Sequence, residues 1–158
     1  MKFNAATEDD SMKKWKSTVM AVAVATMMVA GAPGALAASR AMMDPGRVTL
    51  VDPATPASDA ATPDKVRQAI LDGAKVHQWQ MIAEQPGVLT LKAGSGGHSA
   101  TIAVAYDATG YEITYKDSVN FNYKLGDDGK ASIHSKYNKW ISDLGNDIRA
   151  AASADGIH

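Results

Sequence analysis

Residues 78–116 read QWQMIAEQPGVLTLKAGSGGHSATIAVAYDATGYEITYK, and their alternation decides the fold. Apolar side chains recur at every second position: Trp79, Met81 and Ala83; Leu89, Leu91 and Ala93; Ala100, Ile102, Val104 and Tyr106; Tyr111, Ile113 and Tyr115. A period of two belongs to a strand with one face in a core. The runs are separated by Pro86-Gly87, by Gly94-Ser95-Gly96-Gly97 and by Asp107-Ala108-Thr109-Gly110. In such segments Pro fixes φ and Gly accepts a positive φ. Connections this short join antiparallel neighbours, so the stretch predicts a four-stranded meander.

The period changes on both sides of it. Upstream, Thr62-Pro63-Asp64 offers a hydroxyl cap, a proline at the first helical position and an acid in the first turn. Val66, Ala69, Ile70, Gly73 and Ala74 then form one stripe of a helix ending near Val76 or His77. Downstream, Asp117 to Ala131 is a polar connection, and Ser132 or Ser135 can cap a second helix. There Tyr137, Trp140, Ile141, Leu144 and Ile148 fall at i, i+3, i+4, i+7 and i+11. Two apolar stripes and one apolar sheet face must cover one another. The expectation is an α+β domain over residues 62–151, ordered α-β-β-β-β-α, with both helices on one face of a four-stranded antiparallel meander. Residues 152–158 are expected to be a flexible tail.

The chain has 158 residues, enough for one such domain. Ahead of it, Met12-Lys13-Lys14-Trp15-Lys16 is basic, Ser17–Val29 is mainly apolar, and Ala35-Leu36-Ala37 supplies small residues after Pro33 and Gly34. These are the three parts of a secretory signal peptide. The apolar run falls short of the roughly 20 residues a spanning helix needs, so cleavage after Ala37 is expected and not an anchor. Glu8, Asp9 and Asp10 dilute the basic segment, which makes Met12 the expected biological start. Residues 38–61 contain three prolines and no aromatic side chain, leaving little to offset the cost of ordering. They read as a disordered linker, although Arg47–Val51 alternates.

Hydrophobic residues make up 46% and charged ones 21%, an ordinary globular balance, and the formal net charge is -1. Setting aside residues 1–37, which carry four lysines and three acids, leaves two more acids than bases. That balance gives no electrostatic reason to expect nucleic acid or an anionic membrane surface as a partner. There is no cysteine, which excludes disulfides, a thiolate zinc site, a thiol nucleophile and an acylated lipoprotein cysteine.

No motif in the domain carries a recognisable chemistry. His77, His98, His134 and His158 lack the spacing of a zinc site. Gly94–His98 lacks the Lys-Ser/Thr ending of a phosphate loop and lies between two strands. Asp127-Asp128-Gly129 lacks the alternating acids of a calcium loop. Ser118, Asp117 and His134 are the residue types of a hydrolase, but no Gly-x-Ser-x-Gly elbow accompanies them. No catalytic residue, metal site or cofactor is therefore expected. The best cluster is Asp117, Ser118, Asn120, Tyr123, His134, Tyr137 and Asn138, joining the polar connection to the aromatic helix. It reads either as a hydrogen-bond network that holds this connection to the helix, since buried polar groups need partners, or as a binding surface for a small ligand, a peptide or an envelope protein.

Several runs together resemble a known group. They are Val66-Arg67-Gln68-Ala69-Ile70, Trp79, Pro86-Gly87, His98-x-Ala100-x-Ile102, Tyr106-Asp107, Tyr111-x-Ile113-x-Tyr115, Asp117-Ser118-x-Asn120-x-x-Tyr123 and Ile133-His134-x-x-Tyr137-Asn138-x-Trp140-Ile141. Val66 to Ile148 is similar to small, largely uncharacterised proteobacterial envelope proteins, many of which look like lipoproteins. The Tyr-Asn-x-Trp block is the most distinctive part. The resemblance implies an envelope location and this fold, and no particular activity. The chain departs from it in having no lipobox cysteine, so soluble periplasmic residence is expected in place of a lipid anchor. The functional expectation is a non-enzymatic periplasmic module that binds or supports another cell-envelope component, a protein or peptide. The alternatives are a small-molecule or metal-binding protein and, behind it, a hydrolase.

Overall fold

A computed structural model describes residues 39–51 and 61–157. The leader expected over 1–37 and the prolines of 52–60 lie outside the described residues. In chain order the elements are β1 (Ser39–Ala41), β2 (Arg47–Thr49), α1 (Pro63–Val76), β3 (Gln80–Gln85) and β4 (Val88–Ser95). Then come β5 (His98–Tyr106), β6 (Gly110–Val119), β7 (Lys124–Leu125), β8 (Ala131–His134) and α2 (Ser135–Ala154). The domain is α+β, with two helices and two antiparallel sheets, one ordered β2-β6-β5-β4-β3 and one ordered β1-β8-β7. No described helix is long and apolar enough to cross a membrane.

The helices start and pack as their sequences dictate. Thr62 Oγ1 accepts from the Lys65 N–H at 3.2 Å, and Pro63 opens α1. The stripe Val66, Ala69, Ile70, Gly73 and Ala74 is buried, as are Tyr137, Ile141, Leu144 and Ile148 of α2. Gly73 lets the two helices touch: a Cβ there would lie 2.6 Å from the Ile148 backbone nitrogen. Leu89 and Leu91 of β4, Ile102 and Val104 of β5 and Tyr111 of β6 complete the same core. The Tyr111 hydroxyl donates to the Gly145 carbonyl of α2 at 3.3 Å, and burial holds its pKa above the ordinary phenol value.

The four-stranded expectation needs correcting at three places. First, the meander β3-β4-β5-β6 is present but gains a fifth strand from the stretch expected to be a linker. Arg47, Val48 and Thr49 pair with Glu112, Tyr111 and Gly110. Val48 and Val51 are buried, and the Arg47 guanidinium reaches both Asp107 oxygens at 2.6–2.7 Å. A segment too poor in apolar residues to fold alone orders on a ready-made sheet edge, where each ladder bond adds to existing structure. Second, β3, at the edge of the sheet, lies exposed along its whole length, and a bulge falls between Met81 and Ala83. One extra residue reverses every later side chain. Glu84, expected to face outward, pairs with the buried Leu89 and meets Arg67 of α1 at 2.6 Å. That hydrogen bond holds the Glu84 pKa below the ordinary carboxylate range. Third, the polar connection is partly strand. A second bulge, near Lys116, lets β6 run on to Val119 and puts Ser118 opposite the buried Ala100, and β7 and β8 form a small hairpin. The tail is likewise ordered: α2 reaches Ala154, and Ile157 is buried.

Candidate functional site

A cleft forms where α1 stops. The Gln78 N–H donates to the Lys75 carbonyl at 3.2 Å and the Trp79 N–H to the Ala74 carbonyl at 2.9 Å, the two bonds of a Schellman closure. That motif needs a left-handed residue just past the helix, and Gln78 fills the position at φ 58. The turn throws Trp79 inward, where it is 4% exposed and meets Trp140 of α2 edge to face, centroids 6.2 Å apart at 83°. The two indoles form a corner. Val76, Gln78, Gly94 and Lys136 stand around it, enclosing a cleft of about 530 Å³.

Strand register opens the remaining wall. β3 begins at Gln80 opposite Lys92, so Ala93, Gly94 and Ser95 of β4 have no strand on that side. The far lip is the start of α2. There His134 Nδ1 accepts from the Lys136 N–H at 3.0 Å and caps the helix. Lys136 Nζ sits 5.3 Å from the centre of the Trp140 ring and 3.4 Å from the Ser95 carbonyl oxygen. A cation over an indole face is attracted by the ring quadrupole. Nearby, Lys139 pairs with Asp143 at 2.9 Å, and His77 Nε2 lies 3.1 Å from Asp147 Oδ2, a contact that is an ion pair only when the imidazole is protonated. No carboxylate among the described residues stands within ion-pair distance of Lys136. The cleft thus combines an aromatic floor, an open sheet edge and one uncompensated cation.

Behind the floor runs a line of aromatic contacts. Trp140 meets Phe121 at 5.1 Å, Phe121 meets Tyr137 at 5.9 Å, Tyr137 meets Tyr115 at 5.7 Å, and Tyr115 stacks on Tyr123 at 4.5 Å. Phe121 is the hub and is fully buried. Asn120 and Asn122 on either side of it take left-handed conformations, φ 60 and 51. Asn tolerates that region better than most residues, and the double reversal directs Phe121 into the core. Burial raises the Tyr137 phenol's pKa, with Tyr115 adding to the shift.

No side-chain hydrogen bond joins any two of the seven residues singled out from sequence, although Ser118, Tyr123 and Tyr137 all meet Tyr115. Asn138 Nδ2 donates to the Ala41 carbonyl and its Oδ1 accepts from the Met43 N–H, both at 2.8 Å. It therefore clamps the N-terminal segment onto α2. Asn120 Nδ2 donates to the Gly97 carbonyl at 2.6 Å, holding the connection to the β4–β5 turn. The Ser118 hydroxyl bonds the Tyr115 hydroxyl at 3.0 Å, while His134 serves as the cap. The pair a hydrolase would join is thus engaged elsewhere on both sides. His134 also lies 5.8 Å from His98, centroid to centroid. Asp117 is exposed at the bulge. Tyr123 and Tyr137 line a second cavity, of about 250 Å³, with Met42, Met43 and Asp44. Among the described residues no three His, Asp or Glu side chains converge as metal ligands.

Sequence reasoning missed the main cleft because it is assembled from three separate segments. Trp79 and Trp140 were legible as core. Lys136 and Gln78 carried no signal, since a single lysine or glutamine in a polar context is unremarkable. The only available clue was the missing glycine after α1. No family model, curated protein or solved structure matches the chain.

Proposed function

We propose that this domain is a non-enzymatic binding module, carried to the periplasm by the leader that ends near Ala37, which docks another component of the cell envelope. The scaffold in this reading is the four-strand meander with both helices on its apolar face. One observation carries the proposal: the Trp79–Trp140 corner opens beside Lys136, the one cleft lysine without a carboxylate partner. A convergent apolar and charged surface that orients no nucleophile or base fits recognition better than chemistry. The basic, apolar and small-residue order of 12–37 and the resemblance to envelope proteins support the compartment.

The test is photo-cross-linking in periplasm. A photoreactive residue replaces Val76, which is 61% exposed on the cleft lip, and a second is placed at Lys124, away from the cleft. A defined adduct at position 76 and none at position 124 is the expected result. No adduct at either position, or equal labelling at both, counts against the proposal. A second reading, a small-molecule binder, is favoured by volume alone, because about 530 Å³ lies within the usual range for small-ligand pockets.

A further inference from the structure

We infer that the cleft is a site for a small organic monoanion, an apolar and preferably aromatic body carrying one carboxylate. The inference rests on the second, small-molecule reading of the cleft and names the chemistry that the cleft selects. Three features define the ligand.

The first is the corner. Two indoles at 83° present a flat apolar wall on one side and an edge on the other. A planar or narrow hydrocarbon group satisfies both, because aromatic rings pair best edge to face or offset. The second is the charge. Lys136 lies over Trp140 with only a long contact to the Ser95 carbonyl. Lys139 and Asp143 one turn further on cancel each other. A ligand therefore meets the Lys136 ammonium, which has no carboxylate within ion-pair distance, beside the apolar floor, and a single carboxylate complements it. The third is the sheet edge. Ser95 and His98 pair across the two-residue Gly96-Gly97 turn. Ladder alternation then turns the Gly94 N–H and C=O the other way, to the side that β3 does not reach. A backbone donor and the Lys136 ammonium thus border the same opening.

Gln78 gives independent support. A non-glycine residue in the left-handed region is strained, and such strain concentrates at ligand sites. Gln78 lines the cleft together with Lys136.

The probe is 4-phenylbutyrate, compared with the isosteric 4-phenylbutan-1-ol and with acetate alone. Two of the chain's three tryptophans, Trp79 and Trp140, line the cleft, so indole fluorescence of the full chain reports occupancy. Saturable quenching by the acid is expected, with binding about tenfold tighter than the alcohol because hydrogen bonds to charged groups are the stronger ones. Acetate should not saturate. Lys136→Gln should bring acid and alcohol level, and Lys136→Arg should restore the preference, with melting temperatures compared to confirm folding. Equal binding of acid and alcohol by the wild type overturns the inference, as does the absence of saturable binding at millimolar acid. A preference that survives Lys136→Gln overturns it too. A negative result here with a positive adduct at position 76 would leave the binding module standing and remove only the ligand assignment.

Discussion

The two helices end in the same way with different residues. After α2, Asp155 is the cap, the Gly156 N–H donates to the Ser153 carbonyl at 3.2 Å, and the Ile157 N–H donates to the Ala152 carbonyl at 2.9 Å. After α1 the same two bonds are made by Gln78 and Trp79, at the same lengths. In both, the residue past the turn is 4% exposed and the alanine it folds back over is buried. Only the left-handed position differs, Gly156 at φ 72 against Gln78 at φ 58. A side chain there costs about 1 kcal/mol or more, which glycine avoids. A Cβ at Gly156 would have nothing within 4 Å, whereas Gln78 lines the cleft. The unstrained ending is structural, and the strained one faces the cleft.

Truncating the buried residue after each turn should produce the largest effects. Trp79→Ala removes half of the indole corner and should cost about 3–5 kcal/mol, read as a large loss of urea midpoint. Ile157→Ala should cost about 2 kcal/mol, the low end for a buried isoleucine because the chain end can relax. In a domain of this size each kcal/mol lowers the melting temperature by about 4–8 °C. If Ile157 belonged to a free tail, that substitution would leave the melting curve unmoved and the comparison would fail at its α2 end. Gly156→Ala should cost about 1 kcal/mol through the left-handed backbone alone, with no packing contribution. Circular dichroism melts of this variant separate backbone strain from lost contacts.

What sequence could reveal follows the same division between regular and local features. The alternation of Leu89–Leu91, Ile102–Val104 and Tyr111–Ile113 and the stripe Tyr137, Ile141, Leu144, Ile148 placed the core, because burial of one face imposes a period. The bulges near Ile82 and Lys116 break the period by one residue and leave no compositional trace, so Glu84 was assigned to the wrong face and Ser118 to a connection and not to β6. The alternation of Arg47–Val51 was visible, but not that β2 would be ordered, because its order depends on the edge of β6 and on Asp107, sixty residues away. The Asp107 carboxyl is held down to about 2 by Thr109 and, beyond that, by Arg47, a local network that no window of sequence displays. Asn138 was chosen as part of a loop network, and it clamps Ala41 and Met43 instead. The cleft suffered most, being the meeting of a helix end, a strand end and a helix start.

The smallest expected effect decides what the comparison means. Gln78→Gly relieves the left-handed strain and, after allowing for the greater freedom of glycine in the unfolded chain, should raise stability by about 0.5–1 kcal/mol. The Schellman bonds involve backbone atoms only and survive the change. If the glutamine amide serves the cleft, the more stable variant should hold 4-phenylbutyrate less tightly while its preference for acid over alcohol persists, since Lys136 is untouched. A variant that is more stable and binds undiminished would show that the strain at Gln78 has no bearing on the ligand. A less stable one would mean that the Gln78 side chain packs against the lip strongly enough to outweigh its backbone. Stability and affinity moving in opposite directions on one substitution is the signature of a residue kept for its contacts outside the fold.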